Sequence, residues 1–166
     1  MSKKKLLKEL KVELVKAVPR LFKQLTKEHD DLCCFGLGTT AILESIVPIY
    51  QFENLLASPD DAEKFSPWEW EMGNGAVDLG PKVPRIRTKL EELLDHSDDD
   101  NFQDDYKNTV VSSLVELKKN GAFGTPKSRP FLAFWLIGDD ERWVIKSSKL
   151  LNTPKTHGAA IEALGG

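Results

Sequence analysis

The sequence predicts an α+β fold: a single domain with a mainly antiparallel sheet of about four strands, packed against a long N-terminal helix and two central helices. Three observations predict it. Apolar residues step by three or four through residues 3–29 and again through two central segments, which is the signature of amphipathic helices. Short apolar or β-branched runs at 32–37, 45–50, 131–137 and 142–146 have the length and composition of strands. The few residues between the first two runs are too short for a parallel crossover.

The elements follow in order. Leu7, Leu10, Leu14, Val18, Leu21 and Leu25 share one helical face, and Pro19 predicts a kink or restart within it. Leu32–Leu37 and Ser45–Tyr50 read as strands, the second at an edge or paired on one side only, because Pro48 has no N–H to donate. Glu53 to Ala57 suggests a short helix. Ser66 as N-cap with Pro67 at the first helical position opens another. Gly73 to Pro81 reads as a loop. Pro84 opens a helix carrying Ile86, Leu90, Leu93 and Leu94, and Phe102, Tyr106, Val110, Leu114 and Leu117 mark the next, closed by Lys118, Lys119 and Gly121. Phe131–Ile137 is apolar at every position and predicts a central strand covered on both faces, with Arg142–Lys146 as its hairpin partner. The domain spans 1–153, and 154–166 reads as a loose tail.

Composition narrows the function. With 166 residues and 40% hydrophobic content the chain is long enough to bury a core without disulfides or a structural metal. A formal charge of −3 argues against a uniformly basic, nucleic-acid-coating surface, and no uncharged apolar run approaches the ~20 residues of a membrane helix. Lys8, Glu9, Lys11 and Glu13 interrupt any signal-like apolar stretch near the start. Cys33 and Cys34 are adjacent and have no third cysteine to pair with, which favours a reducing cytoplasm. The charge is unevenly spread: residues 1–30 carry +5, whereas 91–105 contain eight acids and no Lys or Arg. That acidic stretch, with Asp98, Asp99, Asp100, Asp104 and Asp105, is the expected docking surface for a basic protein partner.

Catalytic and cofactor patterns are weak. Gly36-Leu-Gly38-Thr-Thr-Ala41 fits a dinucleotide loop, with Glu53 near the ribose-binding spacing, but the following crossover is too short for the parallel unit that such a loop needs. The acidic stretch lacks the glycine and closing glutamate of a calcium loop in either register. His29, His96 and His157 are far apart, and no zinc spacing joins them to the cysteines. No cofactor or metal is therefore expected. Trp68 and Trp70 project to different sides of a short helix, so one can pack inward while the other serves an interface.

The order of several local patterns resembles a bacterial family known as domain of unknown function 4303. They are the first helix, the Cys33–Leu37 strand, Ser66-Pro67-Trp-Glu-Trp70, Gly121-Ala-Phe123-Gly124 and the closing segment with Asp140, Ser147, Leu151 and Asn152. The resemblance implies an α+β domain with no established catalytic residues, and these pattern positions have structural roles at hand. The expected function is a non-catalytic cytoplasmic binding protein of the immunity type, blocking a toxin by occlusion through the acidic surface. Direct nucleic-acid or membrane binding is not expected. The alternative is a small-molecule sensor or enzyme with a pocket near Gly36–Thr40 and Trp68–Trp70.

Overall fold

The computed structural model describes residues 1–40, 45–58, 62–96, 101–139 and 141–165. Ala41, Asp98, Asp99, Asp100 and Asp140 lie outside the described residues. Helix α1 (Lys3–Glu28) starts at Ser2, whose hydroxyl accepts the Lys5 N–H at 3.3 Å. It runs through Pro19 as one helix, and its buried stripe begins at Leu6, with Leu7 packed at the margin. Strands β1 (Leu32–Thr40) and β2 (Ile46–Phe52) form an antiparallel hairpin. Two-residue β3 (Glu71–Met72) extends β2 antiparallel, and β4 (Phe131–Ile137) lies parallel to β1 on its other side, giving the order β3-β2-β1-β4. The remaining helices are α2 (Gly75–Asp78), α3 (Lys82–Asp95), α4 (Phe102–Lys119), α5 (Arg142–Leu151) and α6 (Pro154–Ala163).

Strands β1, β2 and β4 are buried on both faces, and strand alternation divides their side chains between two cores. Leu132 and Phe134 of β4 join Phe35 and Leu37 of β1 against α1, α3 and α4. Phe131, Ala133 and Trp135 face the other way, with Cys34, Ile49, Trp70, Val144 of α5 and Ala160 of α6. Gly36 lies where β1 meets β4; a Cβ there would strike the Ala133 carbonyl, so glycine alone permits this approach. Pro48 pairs with Leu37 of β1, and its carbonyl accepts the Gly73 N–H at 2.8 Å beyond the short β3. A residue's N–H and C=O share one side of a strand, so the missing donor of Pro48 faces this nearly open edge, where the ladder loses least.

Six expectations need correction. Strand β2 is not an edge strand, since it pairs with β1 on one side and β3 on the other, and the 73–81 segment contains the short helix α2. Strand β4 is covered on both faces but is not central: it pairs only with β1, after the chain has crossed over through α3 and α4. Residues 142–146 are the start of α5 and not a hairpin strand. Their β-branched content suggests a strand, but Val144, Ser147, Ser148 and Leu151 are the buried face of a longer helical repeat. The segment after 153 is α6, not a loose tail: Thr153 caps it by accepting the Thr156 N–H at 3.3 Å, Pro154 occupies the first turn, and Ala160 is buried. The Ser66-Pro67 start opens only a three-residue 3-10 turn (Pro67–Glu69), and the Ser66 hydroxyl donates back to the Ala62 carbonyl without capping it.

Candidate functional site

Of the residues that carry the resemblance, Gly121, Phe123, Gly124, Ser147, Leu151 and Asn152 make structural contacts. Among the described residues β4 has no neighbouring strand on its outer edge, and two side chains of the α5 segment take that place. Asn152 accepts the Leu132 N–H at 2.9 Å and donates to the Leu132 carbonyl at 2.7 Å, as a paired strand would. Ser147 Oγ accepts the Phe134 N–H at 2.8 Å and donates to the Phe134 carbonyl at 3.3 Å. Leu151, between them on the helix, is fully buried. At the end of α4, the Ala122 N–H reaches the Leu117 carbonyl and the Gly121 N–H reaches that of Lys118, with Gly121 at φ +76°. This Schellman turn directs Phe123 onto Phe22 and Phe35, with ring centroids 5.1 and 5.6 Å away, and Gly124 turns the chain out again at φ +91°.

The partner-binding candidates separate in space. Asp104 and Asp105 occupy the first turn of α4, where their charge suits the helix dipole. Lys107 Nζ lies 3.0 Å from Asp104, and Lys3 Nζ lies 2.7 Å from Asp105, so both carboxylates have cations within the chain. Trp70 is 7% exposed; its indole N–H donates to the Glu63 carbonyl and its ring meets Phe131 edge-on, which makes it a core residue and not a contact residue. Trp68 is 45% exposed. Of the two tryptophans, it is the one free to meet a partner.

Trp68 is followed by two exposed carboxylates, Glu69 and Glu71. Gln51 Nε2 donates to the Glu69 carbonyl at 3.2 Å and β3 pairs Glu71 with Tyr50, so the Trp68 turn is held against the end of β2, from which Glu53 follows. Glu53, Glu69 and Glu71 are exposed, as are Leu55 and Met72. Among the described residues none of these three carboxylates forms an ion pair. The Tyr50 phenol registers the local field: burial first, then the negative charges of Asp78 and Glu71, push its pKa up. Strand pairing places Glu71 beside Tyr50, whereas Glu53 lies near Cys33 and Lys64 on the other side of the sheet. The local sign of the acidic segment is the alternation Trp68-Glu69-Trp70-Glu71.

The sequence matches the family described as domain of unknown function, DUF4303, over residues 14–153. The chain belongs to the DUF4303 family. No curated protein and no solved structure matches it significantly.

Within this DUF4303 domain Cys33, Cys34, Gly36 and Gly38 are buried, whereas His29 and His96 are exposed. A β-bulge at the start of β1 breaks strand alternation and turns both Cys33 and Cys34 to the same core, with their Sγ atoms 3.6 Å apart. The hydrogen bond from Cys34 lowers the Cys33 pKa, with help from Lys64, whereas burial raises that of Cys34. His29 packs on Phe52, His96 ends α3, and His157 Nδ1 lies 3.1 Å from the buried Ser148 hydroxyl, tying α6 to α5. Among the described residues, no three His, Cys, Asp or Glu side chains converge on a metal-sized site. Gly36 and Gly38 are enclosed between β2 and β4, in an antiparallel hairpin unlike the parallel unit of a dinucleotide loop. A cleft of about 320 Å³ opens beside the start of β2, lined by Ile46, Gly73, Asn74, Gly75 and Arg87 among others. No described helix is long and apolar enough to cross a membrane.

Proposed function

We propose that this protein is a non-catalytic binding protein of the immunity type, which blocks a basic toxin domain by covering its working surface with the acidic segment around Trp68. The observation that carries this reading is a half-exposed tryptophan followed by exposed Glu69 and Glu71, neither of which forms an ion pair among the described residues, beside a two-residue edge strand. Aromatic anchors ringed by polar groups supply much of the binding energy at protein interfaces, and unpaired surface charge speeds encounter with a partner of opposite sign. The groove with which a nuclease grips its substrate is such a partner, because it must be basic to hold phosphates. Asp104 and Asp105, already paired with Lys107 and Lys3, add less to such an attraction.

Growth rescue tests the reading. Each secreted effector encoded beside this gene is expressed in a sensitive host with and without the protein. Rescue by the wild type is expected, with loss of rescue in Trp68→Ala and in Glu69→Lys/Glu71→Lys, whose thermal melts should match the wild type. Failure of the folded wild type to rescue growth from any of these effectors refutes the immunity role.

A further inference from the structure

The opposite layer of the molecule carries a basic groove between α1 and α3. On α1 it is lined by Lys5, Lys8, Glu9, Val12 and Glu13, and on α3 by Lys82, Arg85, Ile86 and Lys89. Both sets repeat at three- and four-residue spacing, so each is a single stripe along its helix, about two turns or ~11 Å long. The groove encloses about 490 Å³. Its charge is lopsided, with five cations against two carboxylates, and Glu13 is already shared between Lys16 and Lys82. Among the described residues, Lys5, Lys8, Arg85 and Lys89 form no ion pair. Val12, between the cationic rims, is 43% exposed, beside the buried Ile86.

We propose that this groove docks an acidic amphipathic helix of a protein partner, about two turns long, with an apolar stripe on Val12 and the methylene stems of the flanking lysines and carboxylates on both flanks. The charge complementarity calls for an anion, and the exposed Val12 between the cations selects the kind. A phosphate polymer would neutralise the lysines yet leave Val12 uncovered. A flat anionic bilayer would meet the lysine rims before the groove between them. A third helix laid along two packed helices fills the groove by ridge-into-groove packing and covers Val12, while the Lys stems flank its apolar stripe. This site is on the α1/α3 layer and shares no residue with the Trp68 segment, whose Trp70 packs in the core on the other side of the sheet.

The probe is a fluorescein-labelled synthetic helical peptide with Leu at three- and four-residue spacing and Glu on both flanks, measured by anisotropy at low and at physiological salt. A control peptide has the same composition with the Leu residues scattered. The amphipathic peptide should bind at least about tenfold more tightly than the control, and Lys8→Glu/Lys89→Glu should weaken it by a further factor of about ten or more. That variant should in turn accept a peptide whose flanks are Lys, a gain that unfolding cannot mimic. Should the charge reversal fail to fold, Lys5→Gln/Arg85→Gln gives the same reading with a smaller loss. Equal binding of the two peptides overturns the proposal. So does binding of polyphosphate or phosphatidylserine vesicles without binding of the amphipathic peptide, and so does the absence of any binding.

Discussion

Replacing Asn152 by Ala removes the side chain that stands in for a missing strand at the outer edge of β4. Two backbone groups of fully buried Leu132 then lose their partners: an N–H bonded at 2.9 Å and a carbonyl bonded at 2.7 Å. Leaving a buried backbone group unsatisfied costs ~1–3 kcal/mol, so the two together amount to ~2–6 kcal/mol. Asn152 is only half-buried, which lets water reach part of the gap and favours the lower half of that range, ~2–4 kcal/mol. For a domain of this size the loss corresponds to a fall in Tm of roughly 5–15 °C. Urea unfolding followed by circular dichroism measures it directly, with a lower midpoint and an unchanged m-value expected. Asn152→Asp sharpens the test, since a carboxylate still accepts the Leu132 N–H but faces the Leu132 carbonyl with no proton to donate. Its folded-state pKa is therefore raised above the unfolded value near ~3.9. A raised folded pKa means the deficit of this variant is smallest below the unfolded pKa and grows as pH rises through the folded value. A loss under ~1 kcal/mol in Asn152→Ala, or a pH trend of opposite sign in Asn152→Asp, would refute the idea that this amide holds the edge of β4.

Three further outcomes are expected. The buried Tyr106 phenol is pushed up to about 12, chiefly by burial, against ~10 unfolded, so its contribution is complete below pH ~10 and is lost as pH rises towards 12. Compared with Tyr106→Phe, the wild type should therefore lose an extra ~2–3 kcal/mol across that window in denaturant titrations; parallel losses would show that the phenol is not shielded. Gly36→Ala should cost ~3 kcal/mol or more, or prevent soluble expression, because the new methyl collides with backbone and no rotamer can relieve it; near-wild-type thermal stability would contradict the close β1–β4 approach. A double-mutant cycle on Lys3 and Asp105 should return a coupling of only ~0.2–1 kcal/mol, shrinking in salt, because both side chains are partly exposed; a coupling that is large and insensitive to salt would mean the pair is effectively buried.

The helices were the most legible part of this chain. The stripes of α1, α3 and α4 repeat within a few residues of themselves, so local spacing suffices to place them, and Lys118, Lys119 and Gly121 mark the end of α4 by local chemistry alone. The β1–β2 hairpin was legible for a related reason, since so short a connection permits only an antiparallel return. Where a segment had two local readings, the tertiary partner chose between them. Arg142–Lys146 has strand-like composition, yet it is helical because Val144, Ser147 and Leu151 together face β4 and the core. Of the candidate surface, the sequence marked Trp68 and Trp70 as a pair of which one is exposed, and only burial of Trp70 against Phe131 decided that it is Trp68.

By itself, then, the sequence determined an α+β domain with a long first helix, two central helices and a sheet seeded by one hairpin, because periodicity, caps and loop length act over a few residues. The tertiary structure decided that β4 runs parallel to β1 at the edge, and that Ser147 and Asn152 close that edge. It also decided that Cys33 and Cys34 share one face, and that Lys5 and Lys8 line a groove with Arg85 and Lys89. Each of these depends on which residues distant in the chain come into contact, and that choice is made by burying one common core rather than by local preference.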